Sequence, residues 1–355
     1  MKVVTTEKLM RPIADFSHAA VTDDLILIGA MAGIDAELRL AGSMPGTTDF
    51  EAQTHKIFEN LETVLDVFGA CAENLLRLKI YLSDMRNVGA YRRLFELRFG
   101  VAKFDHIVVA SSGYPLPQAV IELDAFASRP KVAPPFRFHS VSVDQHPQQN
   151  ADSADAIAVA LRNANINLDQ VCFFNLTMVE PFLLPQIAEA LSHVFTTVPP
   201  YTVTSSQLGS RAADILVELI LYDSEIVLGP HNPERSCSAF ARTGDYLFLP
   251  GHPGEPEQGT VLAQTHDIWE KINDTLAEAE FPAGSIIRTN NILSDWRDYT
   301  EFNKAYGHHV EWPFPPRTTM QAAIAAGAKA QIEAIAFYRP LDVAVLQVPK
   351  KETSA

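Results

Sequence analysis

Cysteine is scarce in this chain of 355 residues: Cys71, Cys172 and Cys237 lie far apart and form no Cys-x-x-Cys pair. That excludes a disulfide framework and a zinc ribbon, and it fits a reducing cytoplasm. Long apolar runs are also missing. No stretch approaches the ~20 apolar residues a membrane helix needs, and Met1 to Phe16 carries Lys2, Glu7, Lys8, Arg11 and Asp15 without the unbroken apolar core of a signal peptide. Basic charge is in deficit, with 28 Lys and Arg against 43 Asp and Glu and a net charge of −15. Phosphate backbones are repelled by such a field, so nucleic acid is not an expected partner. Eleven histidines form neither His-x-His nor His-Glu-x-x-His, and the adjacent His308 and His309 would face different ways on a helix, so no metal site is expected. What remains is a cytoplasmic, acidic, globular protein long enough for two or three domains, by the prior of roughly 100–200 residues each.

What the sequence does contain is a repeat. Ala52-Gln-Thr-His-Lys56 returns as Ala263-Gln-Thr-His-Asp267, and Leu82-Ser-Asp84 returns as Leu293-Ser-Asp295, both at one offset with no gap between them. The intervening length is about twice a small domain, which points to a third, eroded copy in the middle. Ala154 to Pro181 supports it with Ile157, Ala160, Leu161 and Ala164 at helical spacing, a polar turn, and a strand-like run from Val171 to Met178. Each copy closes on a β-type run bearing a carboxylate: Val120 to Leu123, Leu216 to Leu219 and Ala330 to Glu333. Pro-rich breaks near Pro130 and Gly229 divide the chain into 1–130, 131–228 and 229–355 with a C-terminal tail.

Within copy one the pattern reads strand, strand, helix, strand, helix, strand. Ala19-Ala20 leads through Asp23-Asp24 into Leu25 to Gly29, a hairpin. Asp49 to Phe68 is amphipathic with Thr48 or Asp49 as N-cap, Leu76 to Leu82 alternates as a strand, Val88 to Phe99 is a second helix, and Ala119 to Ala127 the last strand. Such an α+β unit covers one sheet face with helices and leaves the other in need of a partner.

In copy three, Arg242-Thr-Gly-Asp-Tyr-Leu-Phe-Leu-Pro-Gly251, Leu293-Ser-Asp295, Asn303-Lys-Ala-Tyr306, Pro316-Arg-Thr-Thr319 and Ile332-Glu-Ala-Ile-Ala336 follow in order. This set resembles the RidA (YjgF/YER057c/UK114) family of reactive-intermediate deaminases, and Phe16-Ser-His-Ala19 with Asp24 to Gly29 resembles it in copy one. The resemblance implies a chorismate-mutase-like α+β fold and, for three tandem copies, an intrachain pseudo-trimer with clefts between copies, leaving further homo-oligomerisation open. It implies cofactor-independent hydrolysis of enamine or imine carboxylates to a keto acid and ammonia, with a small-molecule carboxylate as the substrate. The family's substrate-binding Arg corresponds to Arg317, where copy one has Ile107 and copy two Tyr201. Its water-orienting Glu corresponds to Glu122 in copy one and Glu218 in copy two; copy three has Gln331 there, with Glu333 two residues on. Phe16 matches the family's early aromatic, and copy three has Ser236-Cys237 instead. Ser17, Thr319 and Asn303 are the further substrate-side candidates, with Tyr306 beside them.

These residue types suit the chemistry. An imine carbon is already electrophilic, so catalysis needs orientation, an anion clamp and an aligned water. Arg grips a carboxylate through a planar fork and keeps its charge. A Glu in an apolar strand is either on the solvent face or, if buried, raised in pKa toward proton transfer; Gln331 can orient water but cannot take its proton. Cys237, as a lone cysteine, is a cleft contact or a small buried hydrophobe. Asymmetric loss of Arg points to one working cleft and a larger, unsymmetrical substrate such as a 2-aminomuconate-type dicarboxylate from aromatic ring cleavage. The alternative is a non-catalytic, small-molecule-binding or chaperone-like relative. A ring-opening amidohydrolase, which resembles a Ser and Lys pair in each of three domains, ranks lower because residues 132–225 contain no Lys.

Overall fold

The computed structural model describes residues 2–338 apart from 5, 7, 45–48, 115, 144–152, 180–183, 211–212 and 325–326, with backbone alone at 2–4, 153–155 and 184–187. The C-terminal tail from 339 lies outside the described residues. The chain forms three units of one α+β plan. The first runs β1 (Lys2–Val4), β2 (Ala19–Val21), β3 (Leu25–Ala32), α1 (Phe50–Val67), β4 (Leu75–Leu82), α2 (Val88–Phe99), β5 (Asp105–Ala110) and β6 (Ile121–Ser128). The second is shorter: β7 (Phe136–Val143), α3 (Ser153–Asn163), β8 (Val171–Met178), α4 (Leu184–Val194), β9 (Tyr201–Ser205) and β10 (Ile215–Tyr222). After β11 (Val227–Leu228), β12 (His231–Asn232) and β13 (Cys237–Ser238), the third continues with β14 (Ala241–Thr243), β15 (Tyr246–Pro253), α5 (Val261–Glu278), β16 (Ile286–Leu293), α6 (Tyr299–Tyr306), β17 (Arg317–Gln321) and β18 (Ala330–Phe337).

The sheet orders are β1-β2-β3-β6-β4-β5, β7-β10-β8-β9 and β11-β14-β15-β18-β16-β17, so one four-strand core recurs three times. Among the described residues the second unit has no counterpart of the outer hairpin strand. Asp49 caps α1 by accepting from the Ala52 N–H, and Thr260 does the same for α5 at Ala263. Both helices bury one stripe, Ile57, Phe58, Leu61 and Leu65 in α1 and Ile268, Trp269, Ile272 and Leu276 in α5, against their own sheet. Among the described residues no helix is long and apolar enough to cross a membrane.

One strand per unit differs from the sequence expectation. The pattern gives four strands in a copy, but β5, β9 and β17 each add a short strand between the second helix and the last strand, parallel to β4, β8 and β16 respectively. These strands have only five or six residues, and polar starts such as Asp105-His106 and Arg317-Thr318 hide their alternation. The second helix supplies the crossover that a parallel pair requires.

The sheet faces turned away from the helices meet in one interior. Leu25, Leu27 and Phe126 of the first unit, Phe136, Phe173 and Ile220 of the second, and Tyr246, Phe248, Ile287 and Ile335 of the third form a single apolar cluster. The units follow one another around it: β5 lies on β7, β9 on β15, and β17 on β3. Within this interior sits a buried ion cluster. Asp124 accepts from Arg77 at 2.9 Å, Tyr81 at 2.6 Å and Thr318 at 2.9 Å, and pairs with Arg288 at 3.1 Å. Glu218 pairs with Arg77 at 3.3 Å and with Lys79. Burial alone would raise the Asp124 carboxyl, but the Arg77 and Arg288 guanidiniums outweigh it and hold the group well below its usual range. The Asp124→Ala protein, with Arg288 left without its carboxylate and Arg77 held by Glu218 alone, should lose about 3–5 kcal/mol of stability in urea unfolding, whereas a loss under about 1 kcal/mol would contradict the pairing.

Candidate active site

Each junction between units presents one position from β5, β9 or β17 and one from the next unit's β6, β10 or β18. The strand registers define the equivalences. Leu82 opposes Ile121, Met178 opposes Ile215 and Leu293 opposes Ala330, so Glu122, Leu216 and Gln331 are equivalent, and so are Asp124, Glu218 and Glu333. This corrects the expected match of Glu218 with Glu122. A shift of two residues keeps a side chain on the same sheet face, so strand alternation could not separate the two alignments. Glu218 is the ion-pair partner of Arg77 and Lys79, and Glu333 lies beside it in the interior, where both line a cavity of about 20 Å³ that holds room for little more than one water. Burial raises the Glu333 carboxyl. Neither reaches a junction cleft.

At the junction of the third unit with the first, Arg317, Thr319 and Tyr299 line one small cavity of about 40 Å³ with Glu122, Phe16, Ala30 and Ala32. The guanidinium of Arg317, the first residue of β17, is fixed from several sides. Nη2 donates to Asn303 Oδ1 at 2.5 Å, the Tyr306 ring lies 4.6 Å from the guanidinium carbon, and Phe16 lies 5.6 Å away from the other unit. Tyr306 is held in turn by a 2.9 Å hydrogen bond between its hydroxyl and Thr289. Arg317 Nη1 is buried and has no hydrogen-bond partner. Glu122 is 5% exposed, and burial, with the nearby Asp124 charge adding to it, raises its carboxyl to about 8. The neutral acid therefore predominates at pH 7. Thr319 accepts from Asn291 at 3.2 Å. Gly29 lies where β3 crosses β17; a Cβ there would stand 3.0 Å from the Arg317 backbone nitrogen, so glycine permits the approach.

The remaining candidates divide. Asn303 holds the guanidinium rather than lining the cavity. Ser17 is fully buried, its N–H donating to Pro315 at 3.5 Å and its hydroxyl unpartnered, and it bridges Pro316 across the same junction. At the junction of the second unit with the third, Tyr201 and Gln331 line a wider cavity of about 790 Å³, and Gln331 Nε2 donates to Val203 at 3.1 Å. Cys237 is buried beside Arg235 and Tyr201, and burial raises its thiol above the usual value. At the junction of the first unit with the second, the register corrects the expected Ile107: Leu78 opposes His106 and Ala125 as Thr289 opposes Arg317 and Ala334, so His106 holds the position of Arg317. Its ring stacks on Phe95 at 4.1 Å, shares a 2.6 Å hydrogen bond with the Tyr91 hydroxyl, and lines with Ile107, Ser140 and Leu216 a cavity of about 130 Å³, beside which Ile107, Val109, Leu208 and Leu216 form an apolar cluster. His308 and His309 follow α6, and both reach His266, one ring stacked at 5.6 Å and the other hydrogen-bonded at 2.7 Å, which corrects the expectation that they diverge. No group of three metal-ligating side chains occurs among the described residues. Sequence reasoning missed Tyr299, Arg235 and His252, whose placement depends on which units adjoin.

The chain belongs to the RidA family: the family profile described as Endoribonuclease L-PSP matches residues 6–128 and 232–338. A RutC family protein of Pyrococcus abyssi is 27% identical over 126 residues, 36% of this chain and 95% of that one. A 2-iminobutanoate/2-iminopropanoate deaminase of Capra hircus is 29% identical over 120 residues, 34% of this chain and 88% of that one. Among solved structures, a chorismatase has a TM-score of 0.54 at 10% identity, covering 74% of this chain and 93% of that chain, a likeness of fold.

Glu122 provides a test of its own burial. Its folded-state pKa lies above its unfolded value of 4.5, so the folded protein holds a proton that the unfolded chain releases, and stability falls as pH rises from about 4.5 to about 8. The Glu122→Gln protein should match wild type in urea unfolding near pH 4 and exceed it near pH 8, by on the order of 4 kcal/mol. Parallel pH profiles for the two proteins would mean that Glu122 is not held neutral.

Proposed function

We propose that this chain hydrolyses small imino or enamine carboxylates at the cleft between its third and first units, releasing ammonia and a keto acid. One observation carries the reading: a buried arginine with an uncommitted N–H and a carboxyl group held near neutrality line one cavity from opposite sides of the junction. The deaminase name of the Capra hircus relative supports it. Arg317 Nη1 takes the substrate carboxylate and fixes the imine carbon in place. Glu122, as the neutral acid, gives its proton to the imine nitrogen; the resulting carboxylate takes a proton from the attacking water as its oxygen bonds to carbon. That proton is returned to the amino group, the C–N bond breaks, and ammonia leaves as the carbonyl forms and the hydroxyl proton passes to the Glu122 carboxylate. Water is consumed once and Glu122 is restored. None of these steps calls for a cofactor.

The cavity also supports a size. Arg317 is the one cation among the described lining residues, and Met10, Ile13, Ile34 and Leu116 form the remaining wall. Short aliphatic monocarboxylates fit these surroundings better than a 2-aminomuconate-type dicarboxylate, whose second carboxylate would lie against apolar side chains. The non-catalytic reading draws on the other two junctions, where the Arg and Glu pair is replaced by Tyr201 with Gln331 and by His106 with Leu216.

Ammonia release should be followed from 2-aminoacrylate generated in place, beside a 2-aminomuconate-type dicarboxylate. Wild type is expected to accelerate the first more than the second, and Arg317→Ala to lower kcat/KM on the order of 10–100-fold, the loss of one charged hydrogen bond or more. Because the acid form of Glu122 starts the reaction, the rate should hold below about pH 8 and fall about tenfold per unit above it, with the inflection absent in Glu122→Gln. Rates equal to the spontaneous ones on both substrates would favour the non-catalytic reading.

A further inference from the structure

The wider cleft, between the second and third units, has lost the Arg and Glu pair but carries a different set of polar groups. Arg235, just before β13, turns its guanidinium under the cleft floor, where Nη2 donates to the Tyr201 carbonyl at 2.9 Å and Nη1 to the Gly251 carbonyl. Tyr201 returns the contact, its hydroxyl donating to the Arg235 carbonyl at 3.0 Å. Two of five guanidinium N–H groups are thus committed to backbone, the Cys237 thiol accepts from the guanidinium as well, and Glu333 acts on it from beyond ion-pair distance. Among the described residues no carboxylate pairs with it directly. His252 sits beside it, 9% exposed, with Nε2 buried and without a hydrogen-bond partner. Gly251 lets the walls close here, since a Cβ would fall 2.7 Å from Thr202 Cγ2.

The rim has the opposite sign. Glu234 and Asp274 are exposed at the mouth, and Glu255 pairs with Lys271, which Asp267 also holds at 3.0 Å. Lys271 is therefore already neutralised, while Glu234 and Asp274 face the opening with charge to offer. A cationic floor under an anionic rim selects a molecule with both charges. At about 790 Å³ the cavity also exceeds what a two- or three-carbon acid would fill.

We propose that the cleft between the second and third units is a separate binding site for a zwitterionic α-amino acid, its carboxylate on Arg235 and His252 and its ammonium on Glu234 and Asp274. The site does not depend on the hydrolytic reading of the other cleft and involves no bond making.

Calorimetry on the full chain bearing Arg317→Ala, which disables the other cleft's anion clamp, tests it with three probes. L-leucine has both charges, 4-methylpentanoate only the carboxylate, and 3-methylbutylamine only the ammonium. Leucine should bind with one site per chain and at least tenfold more tightly than either of the others. Arg235→Ala should abolish leucine binding, and Asp274→Asn, an exposed change that leaves packing untouched, should weaken it several-fold while 4-methylpentanoate is unaffected. Equal affinity for leucine and 4-methylpentanoate, absence of binding at 10 mM leucine, or leucine binding unchanged by Asp274→Asn would each overturn the proposal.

Discussion

A sheet with helices on one face exposes the other to water unless something covers it, and in this chain each unit is covered by the other two. The faces of β3 and β6, of β7 and β10, and of β15 and β18 supply Leu27, Phe126, Phe136, Ile220, Phe248 and Ile335 to one shared core. That constraint accounts for the junctions, since three faces that meet around one interior bring strand edges together in pairs. It also accounts for the ion cluster. Asp124, Glu218 and Glu333 occupy one register position on the inner faces, so three acidic groups are brought together and must be compensated. Arg77 and Arg288 share the equivalent place in the first and third units, and Lys79 stands two residues on; in the second unit Phe173 takes the arginine's place, and Arg77 reaches across to Glu218 instead.

The junctions show how far side chains can diverge on a fixed backbone. At one, His106 takes the arginine's place, stacked on Phe95 and hydrogen-bonded to Tyr91, and Leu216 stands at the place of Glu122. At another, Arg317 and Glu122 keep a small polar cavity, stabilised on the cation side by Asn303 and two aromatic rings. At the third, Tyr201 and Gln331 are tied to backbone carbonyls, and Arg235 enters from a neighbouring loop instead of from the strand. All three junctions keep a cavity, and the three linings differ. Closure of the ring therefore does not require three equal sites.

Much of this architecture was legible along the chain. The exact offset between two segments exposed the duplication, Asp49 announced α1, and the amphipathic stretch Val88 to Phe99 coincides with α2. Local signals of this kind are written within a few residues of where they act. The short parallel strands were harder, because β5, β9 and β17 gain their definition from the neighbouring β4, β8 and β16 rather than from their own alternation. Glu218 was misaligned for a similar reason: Leu216-Val217-Glu218 and Ile121-Glu122 look alike as strings, and only cross-strand register tells which acid faces the ion cluster. Arg235 and His252 carry no motif at all. Their environment comes from Tyr201, which belongs to another unit.

The same dependence on neighbours bears on the distribution of Arg and Glu among the copies. Along the chain it looks like decay, since the third copy retains Arg317 but has Gln331, and the first retains Glu122 but has His106. Around the ring it is complementary. Each cleft takes its β17-type residue from one unit and its β6-type residue from the next, and the third unit is followed by the first. A cleft that needs both groups at one junction therefore needs Arg in one copy and Glu in a different one. Neither His106 nor Gln331 lines that cavity, so neither substitution removes anything from it. In a ring of identical subunits every such change would alter all clefts at once; joining the copies in one chain lets His106, Leu216, Tyr201 and Gln331 vary while Arg317 and Glu122 stay together.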